Sequence, residues 1–271
     1  MNAELFDYAF PKELVAQHPP ARREEARMMV LDRVQKTWIH HRFPDMHNFL
    51  KRGDVLVVNN ALADLVEKDG RLVPALPPYI KRKRAADFTP EDFERYRSVY
   101  ASAAGSKAAP TAGFHFTNEI LEDFKRQNIL IKTITLHVSE DTFKPIRSER
   151  IEDHPMHGET YEIPDETATA IRTAKSEGRR VVAVGTTTVR ALESWKNFFE
   201  ATGPNRTDLF ITPGYQFQIV DALLTNFHRP RSTVLVMVSA FAGREFIQQA
   251  YEEAIRERYR LFSYGDCMLI I

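Results

Sequence analysis

The chain is poor in cysteine: Cys267 is the one thiol among 271 residues. A lone thiol forms neither an intrachain disulfide nor a thiolate metal cluster, so the fold has to stand on its core, and a reducing cytoplasm is the expected compartment. Net charge is also absent, with 37 Lys+Arg against 37 Asp+Glu. That excludes a uniformly polycationic nucleic-acid coat but not a local basic patch. Long apolar runs are lacking too. The longest, Thr233–Ala242 (TVLVMVSAFA), is well short of the ~18–20 residues a membrane span needs. The first ten residues, MNAELFDYAF, are acidic and have no basic segment before an apolar one, so no signal peptide and no membrane partner are expected. There is no repeat and no low-complexity tract. What remains is 43% hydrophobic and 27% charged residues, a composition that buries a substantial core.

Local patterns give an order of elements. MMVLD (28–32) and TWIHHRF (37–43) read as a hairpin, and VLVV (55–58) as a strand buried on both faces. Thr89-Pro90-Glu91-Asp92 is a helix start, with the helix expected to reach Val99. Thr117 caps a second helix, NEILEDFKRQN. Residues 129–138 (ILIKTITLHV) and 181–184 (VVAV) read as strands, and 165–177 and 189–198 as helices. Thr233–Ser239 reads as a further buried strand, 243–259 as a long helix, and 267–271 as a closing strand. Strands and helices alternate in the second half, which predicts an α/β protein with a mixed or parallel sheet and helices on it.

Several stretches carry polar groups where chemistry can sit. In VVAVGTTTVRALES a buried strand feeds Gly185-Thr186-Thr187-Thr188 and then a helix. Unpaired backbone N–H groups, three hydroxyls and Arg190 suit an anion or polar ligand, although an ordinary capped helix has the same pattern. It is not a P-loop, since no Gly-Lys-Thr/Ser follows. The small-residue loop AAPTAGFHFT holds Thr111 and His115. An imidazole between two phenylalanines is tuned either toward acid–base work or toward a satisfied place in the core. TNFHRPRS sets Asn226, His228, Arg229 and Arg231 in a proline-broken loop. Lys81, Arg82, Lys83 and Arg84, beside Tyr79, can hold RNA phosphates and stack a base, or be a solvated charge run. SYGD places Asp266 at a turn. His154 and His157 have metal-like spacing but no third ligand nearby, so no metal is expected.

Longer stretches go beyond local pattern. FDYAFPKELVAQHP, RMMVLDR, GDVLVVNN, LPPYIKR, RYRSVYA, AAPTAGFHFT, ITLHV with TFKPI, HPMHGETYEI and VVAVGTTTVRALES occur in that order. TDLFITPGYQFQIVDALLTNFHRPRSTVLVMVSAFAG, AYEEAI and YRLFSYGDCMLI follow. Across nearly the whole chain, the sequence resembles the S-adenosylmethionine:tRNA ribosyltransferase-isomerase family of queuosine biosynthesis. The resemblance implies a mixed sheet or distorted barrel-like main domain with helices packed on it. It implies that S-adenosylmethionine is consumed as a ribosyl donor, with no resident cofactor. The acceptor is 7-aminomethyl-7-deazaguanine at the wobble position of a tRNA anticodon loop, and epoxyqueuosine, adenine and methionine are the products. No obligate protein partner is implied.

That chemistry needs a base for the 5′ C–H beside the sulfonium, a proton for departing adenine and a neutral amine on the acceptor. Carried onto this sequence, His115, His228, Asp221 and Asp266 are the catalytic candidates. Thr111, Thr186, Thr187, Thr188, Arg190, Asp208 and Asn226 are candidates for holding the substrates. Lys81, Arg82, Lys83, Arg84, Arg229 and Arg231 are candidates for facing RNA. The family's pattern is broken in four places, one of them the run after the VVNN strand, which reads NNALADLVEK here instead of an Asn-x-Thr-Arg-Val-x-Pro-Ala-Arg type. A small β domain inserted after the VVNN strand is missing, and residues 61–75 bridge the gap in one catalytic-type domain spanning 1–271. Ser139–Thr142 (SEDT) replaces a Gly-x-Gly-Thr turn, and Lys107 stands where an apolar residue is usual. These departures leave a second reading open, a repurposed ligand- or RNA-binding homologue without catalysis.

Overall fold

Short runs of β-branched and apolar residues become the middle of a large sheet. The computed structural model describes residues 1–139, 144–195 and 203–271. β1 (Arg27–Asp32) and β2 (Thr37–Arg42) form an antiparallel hairpin. β3 (Val55–Asn59) follows; then β4 (Ala61–Ala63), β5 (Leu65–Lys68) and β6 (Arg71–Pro74) occupy the bridge, where β5 and β6 pair as a small separate hairpin. α1 (Pro90–Arg95) precedes β7 (Ala103–Ser106), which pairs with β4. The expected helix to Val99 stops at Arg95, after the turns that Thr89 and Pro90 start. α2 (Asn118–Arg126), β8 (Leu130–Leu136), β9 (Glu159–Ile163), α3 (Asp165–Ser176), β10 (Val181–Val184) and α4 (Thr186–Ser194) come next. β11 (Gly203–Thr207), β12 (Ala222–Asn226), α5 (Thr233–Ala242), α6 (Arg244–Arg256) and β13 (Cys267–Ile270) complete the chain.

Among the described residues the large sheet has nine strands, in the order β11-β9-β8-β3-β10-β12-β13-β1-β2. It is open, so of the two expected forms the mixed sheet is the one adopted. β8, β3, β10 and β12 run parallel to one another, and β13 returns antiparallel to β12. Successive residues of the central strands feed two different cores, as strand geometry requires. Val55, Val57, Val181, Ala183, Leu223 and Met268 join one core, against α3, α4, α5 and α6. Leu56, Val58, Val182, Val184, Leu224 and Cys267 join the other, against Phe43, Phe116 and α2. Burial on both faces explains why these strands lack alternation in the sequence.

One element corrects the sequence reading. Thr233–Ser239 lies in helix α5, not in a strand. Ser232 Oγ accepts from the Leu235 N–H at 3.2 Å, and Gly243 (φ +95°) ends the helix. The run is buried almost all round, so it has no polar stripe to betray its helical period. Its ten residues between a serine cap and a terminal glycine are the signals that identify a helix. The helix expected over 189–198 begins earlier, at Thr186, and residues 196–198 fall outside the described ones, as does most of the SEDT turn.

Candidate active site

In parallel sheets ligands gather beyond the carboxyl ends of the strands. Here those ends are Asn59 on β3, Gly185 after β10 and Asn226 on β12. A cavity of about 750 Å³, counting its solvent-open part, lies over the last two. The loop 109–112, Tyr79, Phe262, Ser263, Lys144 and Pro145 help wall it.

Gly185 turns the chain from β10 directly into α4. Its φ of +87° is open to glycine, its N–H donates to Leu224 O at 2.8 Å, and a Cβ there would stand 3.4 Å from the Ala112 Cβ. The helix therefore opens onto the cavity with Thr186 and Thr187 on its wall and no side-chain cap on its first N–H groups. Thr188 differs. Its Oγ1 donates to Val184 O at 2.7 Å inside the core, so it is a structural hydroxyl and not a ligand contact. Asn59, which the sequence reading passed over, holds this corner. Its Nδ2 donates to Leu136 O (3.0 Å) and Thr187 Oγ1 (3.1 Å), and its Oδ1 accepts from the N–H groups of Ala61 and Leu136.

Asn226 is 3% exposed and lines the cavity. Its Nδ2 faces the carbonyls of Phe262 (3.2 Å) and Asp266 (3.5 Å) and the His115 Nε2 (3.3 Å). Two carbonyl acceptors fix which end of the amide is nitrogen. The Oδ1 is left buried without a partner among the described residues, an acceptor in want of a donor. His228 also lines the cavity, with Nε2 2.8 Å from Thr225 Oγ1. Its backbone is held at both ends, the N–H donating to Tyr251 OH at 2.8 Å and the carbonyl accepting from Tyr8 OH. Burial pushes its pKa down to about 3, so the ring is neutral at pH 7. Thr111 and Arg229 are on the wall as well, the Arg229 guanidinium 5.7 Å from the Tyr79 ring centroid. Phe227, Phe262 and Tyr79 give it aromatic faces, and Phe262 is held at φ +70°.

Several predicted residues lie elsewhere. His115 does not line the cavity. It sits behind Asn226, 3% exposed, in ring contact with Phe43 (centroids 5.3 Å). Burial, helped by Arg23 and Arg260, holds its pKa down to about 3. Asp221 precedes β12 and is thus at the opposite end of that strand from Asn226, about 17 Å away by strand rise. There it takes Lys175 at 2.8 Å and the Val181 N–H at 2.8 Å. Asp266 accepts from the N–H groups of Arg27 (2.8 Å) and Arg260 (2.7 Å), pinning the turn before β13. Burial raises its pKa against those two bonds. Arg82 is 8% exposed and forms a two-point ion pair with Asp92, at 2.8 and 3.0 Å, so it faces the interior and not RNA. Lys81, Lys83 and Arg84 beside it are exposed. Arg231 does not line the cavity either; its backbone (φ +52°) ties Phe6 O and Ile146 N–H together. Arg190 pairs with buried Glu159, a second residue the sequence reading missed, while Asp208 is exposed nearby and acts on Arg190 electrostatically. Among the described residues no three His, Cys, Asp or Glu side chains group to hold a metal ion, and no helix is long and apolar enough to cross a membrane.

Comparison with known proteins bears on the whole chain. A family model described as queuosine biosynthesis protein matches residues 3–64 and 61–270. The chain is similar to the S-adenosylmethionine:tRNA ribosyltransferase-isomerase of Syntrophotalea carbinolica, 38% identical over 350 aligned positions that cover all of both proteins. It is similarly related to that of Rubrobacter xylanophilus, 40% identical over 339 positions, covering all of this chain and 98% of the relative. The crystal structure of S-adenosylmethionine tRNA ribosyltransferase from Thermotoga maritima superimposes with a TM-score of 0.70 at 33% identity, over 98% of this chain and all of that one. The alignments are longer than the 271 residues present, so the relatives carry residues without a counterpart here. The two matched family segments meet at 61–64, in the short strand β4 that leaves β3.

Proposed function

The chain belongs to the queuosine biosynthesis protein family, and we propose that the cavity beyond β10 and β12 is where it works as an S-adenosylmethionine:tRNA ribosyltransferase-isomerase. It moves the ribosyl moiety of S-adenosylmethionine onto 7-aminomethyl-7-deazaguanine in tRNA and isomerises it, giving epoxyqueuosine and releasing adenine and methionine. The observation that supports this site is the meeting of three features in one cavity: the uncapped start of α4 with Thr186 and Thr187, the neutral His228 imidazole, and the unpartnered Oδ1 of Asn226.

Each has a part in this reading. His228 holds no proton at pH 7 and takes the one released from the 5′ carbon beside the sulfonium. Asn226 Oδ1 accepts a hydrogen bond from the acceptor's aminomethyl group, leaving the nitrogen lone pair for attack. Tyr79, Phe227 and Phe262 offer faces to the flat bases of donor and acceptor. An extruded base of an anticodon loop reaches such a cavity at small unstacking cost. Lys81, Lys83, Arg84 and Arg229 then lie on the side from which the phosphates approach. S-adenosylmethionine is consumed, so no resident cofactor is called for, and tRNA as substrate supports a cytoplasmic reaction. Similarity across the full chain to relatives named for this activity favours catalysis over a repurposed binding homologue.

The test is to incubate the protein with S-adenosylmethionine and tRNA carrying the aminomethyl-deazaguanine base. Adenine and methionine should appear only when that tRNA is present, and His228→Ala should lower the rate by about 100-fold or more. Adenine release that ignores tRNA, or a His228→Ala rate near wild type, would remove this reading of the site.

A further inference from the structure

S-adenosylmethionine has a nucleoside end and an amino-acid end, and the large cavity is not alone. Across Thr186, Thr187 and Val234, which wall both, lies a second chamber of about 350 Å³, counting its solvent-open part. Its walls are mostly apolar, from Met156, Leu209, Phe210, Ile211 and Met237. One end is charged. Arg190 there is 5% exposed, with Nε donating to Leu209 O at 3.1 Å and Nη1 donating to the Glu159 carboxylate. Its Nη2 is buried with no partner among the described residues. A guanidinium N–H left this way bears the full desolvation penalty until an acceptor arrives. The start of α4, within a turn of Arg190, adds N–H groups and a positive dipole end.

The surrounding charges narrow the class of ligand. Glu159 neutralises Arg190, and Asp208 acts on it electrostatically as well. A bare anion such as phosphate would be repelled by Glu159, the carboxylate in the chamber's wall. A zwitterion would not: its anionic group answers the Nη2, and its cationic group answers Glu159. An apolar corridor next to that head suits a thioether or sulfonium chain.

We propose that the small chamber takes the α-amino-acid arm of the donor. The carboxylate meets Arg190 Nη2 and the ammonium faces Glu159. The methylenes lie along Met156, Leu209 and Met237, and the sulfur sits at the Thr186–Val234 boundary with the nucleoside beyond it. This rests on the reading that S-adenosylmethionine is the donor. It makes Arg190 a specificity-determining residue for that end of the molecule.

Calorimetric affinities test it without requiring turnover. The probes are S-adenosylmethionine, its decarboxylated form, and 5′-methylthioadenosine, which lacks the arm. Wild type should prefer the carboxylated donor by about tenfold or more, the worth of one charge-assisted hydrogen bond. Arg190→Gln should bring the two within about twofold and leave 5′-methylthioadenosine binding unchanged. Because that variant strands Glu159, Met156→Trp is the second arm: it fills the chamber from a half-buried position and should weaken both arm-bearing probes, S-adenosylmethionine and its decarboxylated form, but not 5′-methylthioadenosine. Equal wild-type affinities for the two donors, a preference that survives Arg190→Gln, or a Met156→Trp effect shared by all three probes would overturn the proposal. If tRNA-dependent adenine release persists with any of these, only the chamber assignment fails. If S-adenosylmethionine neither binds nor reacts, the function itself was misread and the assignment falls with it.

Discussion

Replacing His115 by glutamine removes a titratable ring from the interior but keeps an acceptor for Asn226 Nδ2. In the native chain His115 is 3% exposed and its pKa is pushed from 6.5 down to about 3, first by burial and then by Arg23 and Arg260. An unfolded chain binds a proton here below pH 6.5, while the native chain does not until about pH 3. The stability tied to the neutral ring is therefore complete above pH 6.5 and drains as pH falls through that window. The slope is about 1.4 kcal/mol per pH unit for one such group, so about 2 kcal/mol is gone at pH 5. Neutral His228 and every other titrating group act in both proteins and cancel in the comparison. Urea unfolding of wild type and His115→Gln at pH 7.5 and pH 5 measures the difference. The wild type should lose about 2 kcal/mol more than the variant over that interval. Equal losses would mean that the ring is protonated inside the native protein, and the description of His115 as a neutral buried support for Asn226 would be wrong.

Two further expectations separate neighbours that look alike in sequence. Thr187→Val should lower kcat/KM by about tenfold, whereas Thr188→Val should leave turnover alone and cost about 1 kcal/mol of stability through the lost bond to Val184 O. Arg82→Met should destabilise by about 3–5 kcal/mol by stranding the fully buried Asp92. Lys83→Ala with Arg84→Ala should keep the melting temperature but flatten the slope of log affinity for tRNA against log salt by about 1.4; an unchanged slope would take both off the RNA side.

The sequence patterns that proved legible are those in which a local cause acts alone. The β1–β2 hairpin, β3, β10 and the helix after Pro164 are marked by apolar runs and by turn or cap residues, and they stand within a residue or two of expectation. Alternation between two cores cannot be read from VLVV or VVAV, because both faces are apolar. α5 departs from its strand-like sequence for the same reason: burial on all sides erases the helical stripe. At the site, GTTT located the cavity wall, but which hydroxyl turns inward depends on the helix starting at Thr186 and not at Val189. Asp221 and Asp266 have the chemistry of site residues and the geometry of fasteners, and only their position along β12 and at the turn before β13 tells the difference. Glu159 and Asn59 carried no local signal, since each acts across the sheet on a residue far along the chain.

The two outer strands of the sheet face the problem every open sheet has, a row of backbone groups ready to recruit a foreign strand. β11 answers it with Pro204, which has no N–H to offer, next to Gly203 and the exposed Asn205 and Arg206. β2 answers with exposed Thr37, His40 and Arg42. Both borders are thus poor templates for edge-on stacking, so nine strands can be kept in one chain without inviting the growth of fibrils from its flanks.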